Sequence, residues 1–390
     1  MPTADELINA HTTDRLASVM AAAGAAPATA IHDCGPLLEG LTFSERVDAV
    51  KEAVLADLPD AYPAFAEVVR TALRDSAFTG WMTFPVNAAV GERALTRGVF
   101  EPALDLLAEL TPLLTAEMAV RPFLRHDLSR ALPAVLAWTR HPDEHVRRLA
   151  SEGTRPRLPW AARLTRLVAD PTPTLPVLDA LYRDTSEYVR RSVANHLNDI
   201  SRDHPSTAVA TAARWLTDPA PTTTALVRHG LRTLVKNGHA DALALLGHDP
   251  DVAVQVVGPE IRTPEVHIGE HLVFGYEVTN TSPRTLPLVI DYVVHHRKAN
   301  GTLTPKVFKL TTRSLAAGER WSAVRRHSFR ELSTRRYHLG VHRVELQING
   351  QPHGSAEFTL GARPDAAPAG PSGSPDRHHE RAACPRPATR

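Results

Sequence analysis

Residues 143–205 decide the fold, because two runs there echo each other: DEHVRRLASEG from Asp143 and SEYVRRSVANH from Ser186. Each E-x-V-R-R run reads as the start of a helix, and the two valines, Val146 and Val189, lie 43 residues apart. A period near 43 suits a HEAT-like helical repeat, whose units run about 40–47 residues. In the first copy Glu152 lies four residues past Arg148; in the second, Asn195 lies four past Arg191 and Asp199 four past that. Steps of four keep side chains on one helix face. Repeats stacked in register put Glu152 and Asp199 on the same face of neighbouring helices, offset by about one turn, roughly 5 Å along the axis. The expectation is a carboxylate pair on the inner wall of a helical solenoid.

On the N-terminal side of these repeats, residues 4–24 have helical periodicity and run into AAAGAAPATA, which reads as a linker. SERVDAVKEAVLADL and PAFAEVVRTAL read as two amphipathic helices, the first N-capped by Ser44 and the second opened by Pro63. In FTGWMTFPVNAAVGERAL, Trp81, Phe84 and Val86 read as core residues of a helix–turn–helix seam, since clustered aromatics usually pack together. Helical pairs continue from Phe100 to His248, with Pro and Gly mostly between units; Pro122 and Pro133 mark helix starts or kinks.

After Pro250 the pattern changes to β-branched, partly alternating runs: VAVQVV, HLVFGYEVTN, LPLVIDYVVHH, KVFKLTTRS, WSAVRRHSF, GVHRVELQI and SAEFTL, with turns at ANG, AAGE and NGQ. Seven short strands in about 110 residues predict an all-β immunoglobulin-like sandwich. The expected organisation is therefore mainly α: a HEAT-like α-solenoid over 1–250, an immunoglobulin-like β-sandwich over 251–361, and a disordered tail over 362–390 rich in Pro, Gly, Ala and Arg. His378 and His379 fall in that tail and read as solvated.

The formal net charge of +1 hides an uneven distribution. Residues 1–115 hold 7 Lys/Arg against 16 Asp/Glu, residues 116–245 hold 18 against 13, and residues 251–361 hold 14 against 10. A basic middle and C-terminal region permits a polyanionic partner, although a solvated surface accounts for it as well. No apolar run approaches the roughly 18–20 residues of a membrane helix, and the acidic N-terminal stretch predicts a cytoplasmic protein. The two cysteines, Cys34 and Cys384, predict neither a disulfide framework nor a zinc cluster. Walker loops, dinucleotide-binding glycine fingerprints, H-E-x-x-H and G-x-S-x-G are absent, which argues against nucleotide-dependent, zinc-protease and serine-hydrolase activities.

Two longer runs, RPFLRHDLSRALPAVLAWTRHPDEHVRRLASEGTRPRLPWA and YVRRSVANHLNDISRDHP, resemble the AlkC branch of the AlkC/AlkD DNA alkylation repair glycosylases. The second run is the more specific. The similarity extends more weakly over about residues 40–248, and the C-terminal region fits too. The resemblance implies a monofunctional DNA glycosylase that removes cationic N-alkylpurines, chiefly 3-methyladenine, from double-stranded DNA. It implies a monomer that needs no metal and no cofactor. By the same resemblance Glu152, Asp199 and Glu117 match carboxylates held next to the lesion's deoxyribose, and Trp160 matches an aromatic that packs against the sugar. The family leaves the damaged base outside a flipping pocket, unlike most glycosylases. The chemistry is coherent, because cleaving the sugar–base bond builds positive charge on the sugar that carboxylates stabilise. An alkylated cationic purine leaves as a neutral base and needs no strong general acid.

Each residue also has a plainer reading. Arg148 and Glu152 at i,i+4 form an ordinary helix pair worth about 0.3–0.5 kcal/mol. Asp199 could bond to Asn195 or Ser201, and Trp160, after Pro156 and Pro159, could be a core plug. Arg147, Arg148, Arg155, Arg157, Arg190, Arg191, His229, Arg232 and Lys236 are candidates for phosphate contact, with Arg148, Arg155 and Arg191 foremost. Two rival functions share the fold: a HEAT-repeat protein scaffold, which would favour apolar anchors on the inner wall, and a non-catalytic reader of damaged DNA with the same wall.

Overall fold

The computed structural model describes residues 3–25, 27–331 and 336–363. Apart from residues 362 and 363, the tail expected at 362–390 lies outside the described residues, as do His378, His379 and Cys384. The chain divides into two compact units between Pro250 and Asp251.

The first unit is helical throughout, and a continuous apolar cluster runs through it from Ile8 to Ala242. Its repeat logic is clearest where the two echoed runs lie. Leu128–Trp138 pairs with Glu144–Gly153, Leu175–Leu181 with Glu187–Ile200, and Pro205–Thr217 with Thr223–Gly230. The second helices of these pairs pack side by side, so Glu144–Gly153, Glu187–Ile200 and Thr223–Gly230 form one layer. The repeated valines face the core, with Val146 and Val189 essentially inaccessible. Small residues allow the close approach. A Cβ on Gly230 would lie 2.8 Å from Leu197 Cδ2 and 3.3 Å from Leu197 Cβ.

Several local expectations shift. Thr42, not Ser44, caps the helix Phe43–Asp57, because Thr42 and Glu45 form a reciprocal capping box. Pro63 lies in the first turn of Tyr62–Ala72, where its missing N–H has no intrahelical partner to lose. The Ala/Gly stretch read as a linker is a packed interhelical turn: its first residues finish the helix Ala10–Ala22, Gly24 reverses the chain at φ 102, and Ala25 and Ala28 are buried before the next helix begins at Thr29. Alanines are small enough to be core, so composition alone misleads there. Trp81 and Phe84 pack with Phe43 at ring-centroid distances of 5.5 and 5.7 Å, and Val86 is fully buried, as a seam requires. Pro122 sits in the first turn of Arg121–His126, and Pro133 lies inside Leu128–Trp138.

The second unit is a sandwich of two sheets. Its strands are β1 Val254–Ile261, β2 Glu265–His267, β3 His271–Asn280, β4 Leu286–Arg297, β5 Leu303–Leu315, β6 Arg320–Ser328, β7 Gly340–Ile348 and β8 Gln351–Gly361. One sheet has the order β1-β3-β6 and the other β2-β8-β7-β4-β5. Alternation sends Leu272, Phe274, Tyr276 and Val278 of β3 and Leu288, Ile290, Tyr292 and Val294 of β4 into the shared core. Among the described residues eight strands stand where seven are expected. The extra one, β2, has three residues, too few to show alternation, and pairs in parallel with β8. The β7–β8 hairpin turns on Asn349-Gly350, at φ 45 and 81, the pair a tight primed turn needs. Among the described residues no helix is long and apolar enough to cross a membrane.

The close contact at Gly230 carries a testable consequence. Gly230→Val should overpack against Leu197 and lower the stability of the helical unit by about 1–3 kcal/mol. Far-ultraviolet circular dichroism should keep its native amplitude while the thermal midpoint falls; an unchanged midpoint would show that the helices have room to separate.

Candidate active site

The two helices of the echo place their carboxylates together. Glu152 ends its helix and Asp199 nearly ends the next, and both are buried, at 5% and 3% exposure. They do not touch. The Arg155 guanidinium stands between them, donating from Nη1 to Glu152 Oε1 at 2.6 Å and from Nε to Asp199 Oδ2 at 2.8 Å. On the other side of Glu152, Arg148 Nη2 approaches Oε1 at 3.6 Å, while its Nη1 donates to Glu117 Oε2 at 2.6 Å. The side chains thus form an alternating row: Glu117, Arg148, Glu152, Arg155, Asp199. Thr115 steadies the Glu117 end, donating to its Oε2 at 2.9 Å and accepting from Arg148 at 3.1 Å.

Burial pushes the Asp199 carboxyl above its ordinary range, and Arg155 only partly offsets this. Behind the row His196 is fully enclosed. Burial first, and the Arg155 charge second, hold it down at about 3, so it stays neutral, bridging to the Ser151 carbonyl at 3.0 Å.

Trp160 stands apart from the core. It is 88% exposed, and its backbone takes φ 62. That left-handed conformation is costly for any bulky residue that is not glycine. The core-plug reading is therefore excluded: the indole is presented to solvent by a strained loop.

The arginines divide differently from the expected phosphate set. In each repeat the first arginine of V-R-R closes its own turn. Arg147 Nη1 donates to the carbonyls of His141 and Pro142, and Arg190 Nη1 to those of Asp184 and Thr185, the positions one repeat later. Arg147 also forks onto Asp184 at 2.7 and 3.1 Å. Arg155 is buried between two carboxylates, and Arg148 is held by Glu117, so neither guanidinium is free for phosphate. Arg157 forks onto Asp203, with both bonds at 2.8 Å. The second arginine of the later repeat, Arg191, is exposed and, among the described residues, pairs with Glu187 alone, at 3.1 Å. His229 and Arg232 both bond to Asn195 Oδ1 at 3.1 Å, and Lys236 is exposed at the end of Arg232–Lys236. Asp199 bonds to Arg155 and not to the Asn195 or Ser201 of the plainer reading.

Two residues escape the sequence reading. The Tyr188 ring lies 4.8 Å from the Arg148 guanidinium and meets His145 edge-on at 5.5 Å. Its signal was present: His145 and Tyr188 occupy the same repeat position, just before V-R-R. Arg121, buried at 2% exposure, donates to the carbonyls of Gly153, Arg155 and Ala162. Carbonyl acceptors have no residue signature, and nothing in R-P-F announces such a role.

Comparison with known proteins bears on the chain's family and fold. Residues 255–362 match a family model described as the C-terminal Ig-like domain of uncharacterised protein YhaZ. The uncharacterized protein YhaZ of Bacillus subtilis (strain 168) is 38% identical over 322 residues, covering 82% of this chain and 88% of that protein. The solved structure of Pseudomonas fluorescens alkylpurine DNA glycosylase AlkC, bound to DNA containing an abasic site analog, matches with a TM-score of 0.84 and 35% identity, covering 93% of this chain and all of that one. With identity and fold both shared over most of its length, the chain belongs to the AlkC branch of the AlkC/AlkD DNA alkylation repair glycosylases.

Proposed function

We propose that this protein is a monofunctional DNA glycosylase that hydrolyses the N-glycosidic bond of cationic N-alkylpurines, chiefly 3-methyladenine, in duplex DNA. The observation that carries this reading is the alternating row of three carboxylates and two guanidiniums, with an exposed, strained tryptophan five residues past Arg155 on the loop that follows. The row holds one more carboxylate than guanidinium. Within the row that excess of one negative charge complements the single positive charge of an alkylated purine base.

The chemistry follows from that excess. As the bond between C1′ and the purine nitrogen breaks, its electron pair leaves with the base, which departs neutral. The positive charge passes to the sugar. Glu117, Glu152 and Asp199 stabilise it where burial keeps the local dielectric low. Water then bonds to C1′ and gives a proton to Asp199, whose raised pKa suits a base. Trp160 packs against the deoxyribose from the surface. Its exposure supports attack on a nucleotide that is not drawn into a pocket. Arg191 and Lys236 contact backbone phosphates, and residues 251–361, basic by 14 Lys/Arg to 10 Asp/Glu, extend the grip on DNA.

The test is single-turnover release of 3-methyladenine with all DNA bound. Glu152→Gln and Asp199→Asn keep shape but remove charge, and each should slow release by about 10²–10³. Affinity for undamaged duplex should hold or tighten. The wild-type rate should fall with acidification, beginning above the ordinary aspartate pKa of about 3.9, because a protonated Asp199 can no longer accept the water's proton. Asp199→Asn should flatten that limb. Wild-type rates in both variants would return the chain to a scaffold or a reader.

Truncation after Pro250 tests the sandwich. The remaining helical unit should bind DNA more weakly yet release base at near the full-length rate once saturated. A folded, saturated truncation that releases no base would mean that the sandwich supplies catalytic groups.

A further inference from the structure

The buried Arg121 guanidinium has no part in the chemistry above. It sits at the start of the helix Arg121–His126, and among the described residues no carboxylate pairs with it. Burial, the largest influence on it, lowers its pKa to about 10. A buried cation whose direct partners are neutral carbonyls is costly to keep. Those carbonyls share one feature. Nη1 reaches Gly153 at 3.1 Å and Arg155 at 2.9 Å, where the chain leaves the Glu152 helix, and Nη2 reaches Ala162 at 2.8 Å, where it returns. One guanidinium thus ties both ends of the segment that contains Arg155 and Trp160. The segment's own bonds are sparse: Ala161 N to Leu158 O at 3.3 Å and Leu164 N to Pro156 O at 3.1 Å, with Pro156 and Pro159 supplying no N–H.

We propose that Arg121 is a positioning residue for base release, clamping the neck of the 155–162 loop so that Arg155 reaches both Glu152 and Asp199 while Trp160 is held exposed at positive φ. The inference rests on the assignment of Trp160 and the carboxylates to the reaction. Arginine suits the task because its planar fork directs donors to several acceptors at once, whereas a lysine ammonium concentrates them at one point. The clamp also accounts for the backbone at Trp160. A disfavoured φ persists only where its surroundings over-determine it, and here both flanks are fixed by one group.

The test is Arg121→Lys, which keeps the charge and shortens the reach. Its thermal melt establishes folding. Release of 3-methyladenine by the saturated variant should fall about 10²-fold, the scale expected when reacting groups are misplaced by about 1 Å, while affinity for undamaged duplex changes little. In a Trp160→Ala background the same substitution should cost clearly less than in the wild type, because one of the two groups it positions has gone and only the placement of Arg155 is left to lose. Losses that multiply fully in the double variant would overturn the proposal, as would a wild-type rate in Arg121→Lys. A second readout needs no activity. Trypsin should nick folded Arg121→Lys after Arg157 and Arg163 faster than the wild type, with the sites identified by mass spectrometry. Unchanged nicking would show that the loop does not depend on the clamp. A wild-type protein that releases no base would sink the glycosylase reading, but the proteolysis comparison would still decide whether Arg121 holds the loop.

Discussion

The bond network on which the site depends is the pair of contacts made by Arg155. Two buried carboxylates on neighbouring helices would repel each other across a low-dielectric gap, and burial favours the protonated form of Asp199. One guanidinium placed between them gives each a charge-assisted hydrogen bond in the protein interior. Such an arrangement is weak evidence for stability, because well-packed apolar groups would often serve the fold as well. It holds negative charge dry and fixed in direction. Charge of that kind stabilises a cation forming at the surface more strongly than solvated carboxylates can, since no solvent must reorganise as the cation appears.

The repeat explains how a helical array comes to hold such a row. Each V-R-R run divides its labour. The valine enters the core, the first arginine closes the turn behind it, and the second points along the wall. The first task is structural and recurs unchanged, as the matched carbonyl contacts of Arg147 and Arg190 show. The second diverges. Arg148 is drawn inward by Glu117, whereas Arg191 remains in solvent, paired with Glu187. Divergence at one position of a repeated frame gives the wall a buried charged end and an open basic end without any change of fold.

Periodicity made the architecture legible, because a 43-residue echo with buried valines fits little other than stacked helix pairs. The same steps of four showed which side chains share a face. They cannot show which of two neighbours a guanidinium chooses, so Arg155, on a loop beyond the helix, looks like a phosphate ligand in sequence. Arg121 was illegible for a different reason: its partners are backbone carbonyls 32 to 41 residues away, which leave no mark in side-chain pattern. In the sandwich, β-branched alternation exposed every strand long enough to alternate and missed β2, which is not. The alanines near residue 25 look like a linker on composition and are core on contact.

The backbone at Trp160 has a consequence for how this protein would respond to selection. Glycine or asparagine would occupy φ 62 with less strain, and an indole that is 88% exposed gives up little packing when removed. On the role proposed for Trp160, heat tolerance and repair pull this one codon in opposite directions. A library screened only for survival of heating would be expected to discard the tryptophan early, whereas one screened under alkylating stress would retain it at the expense of a softer loop.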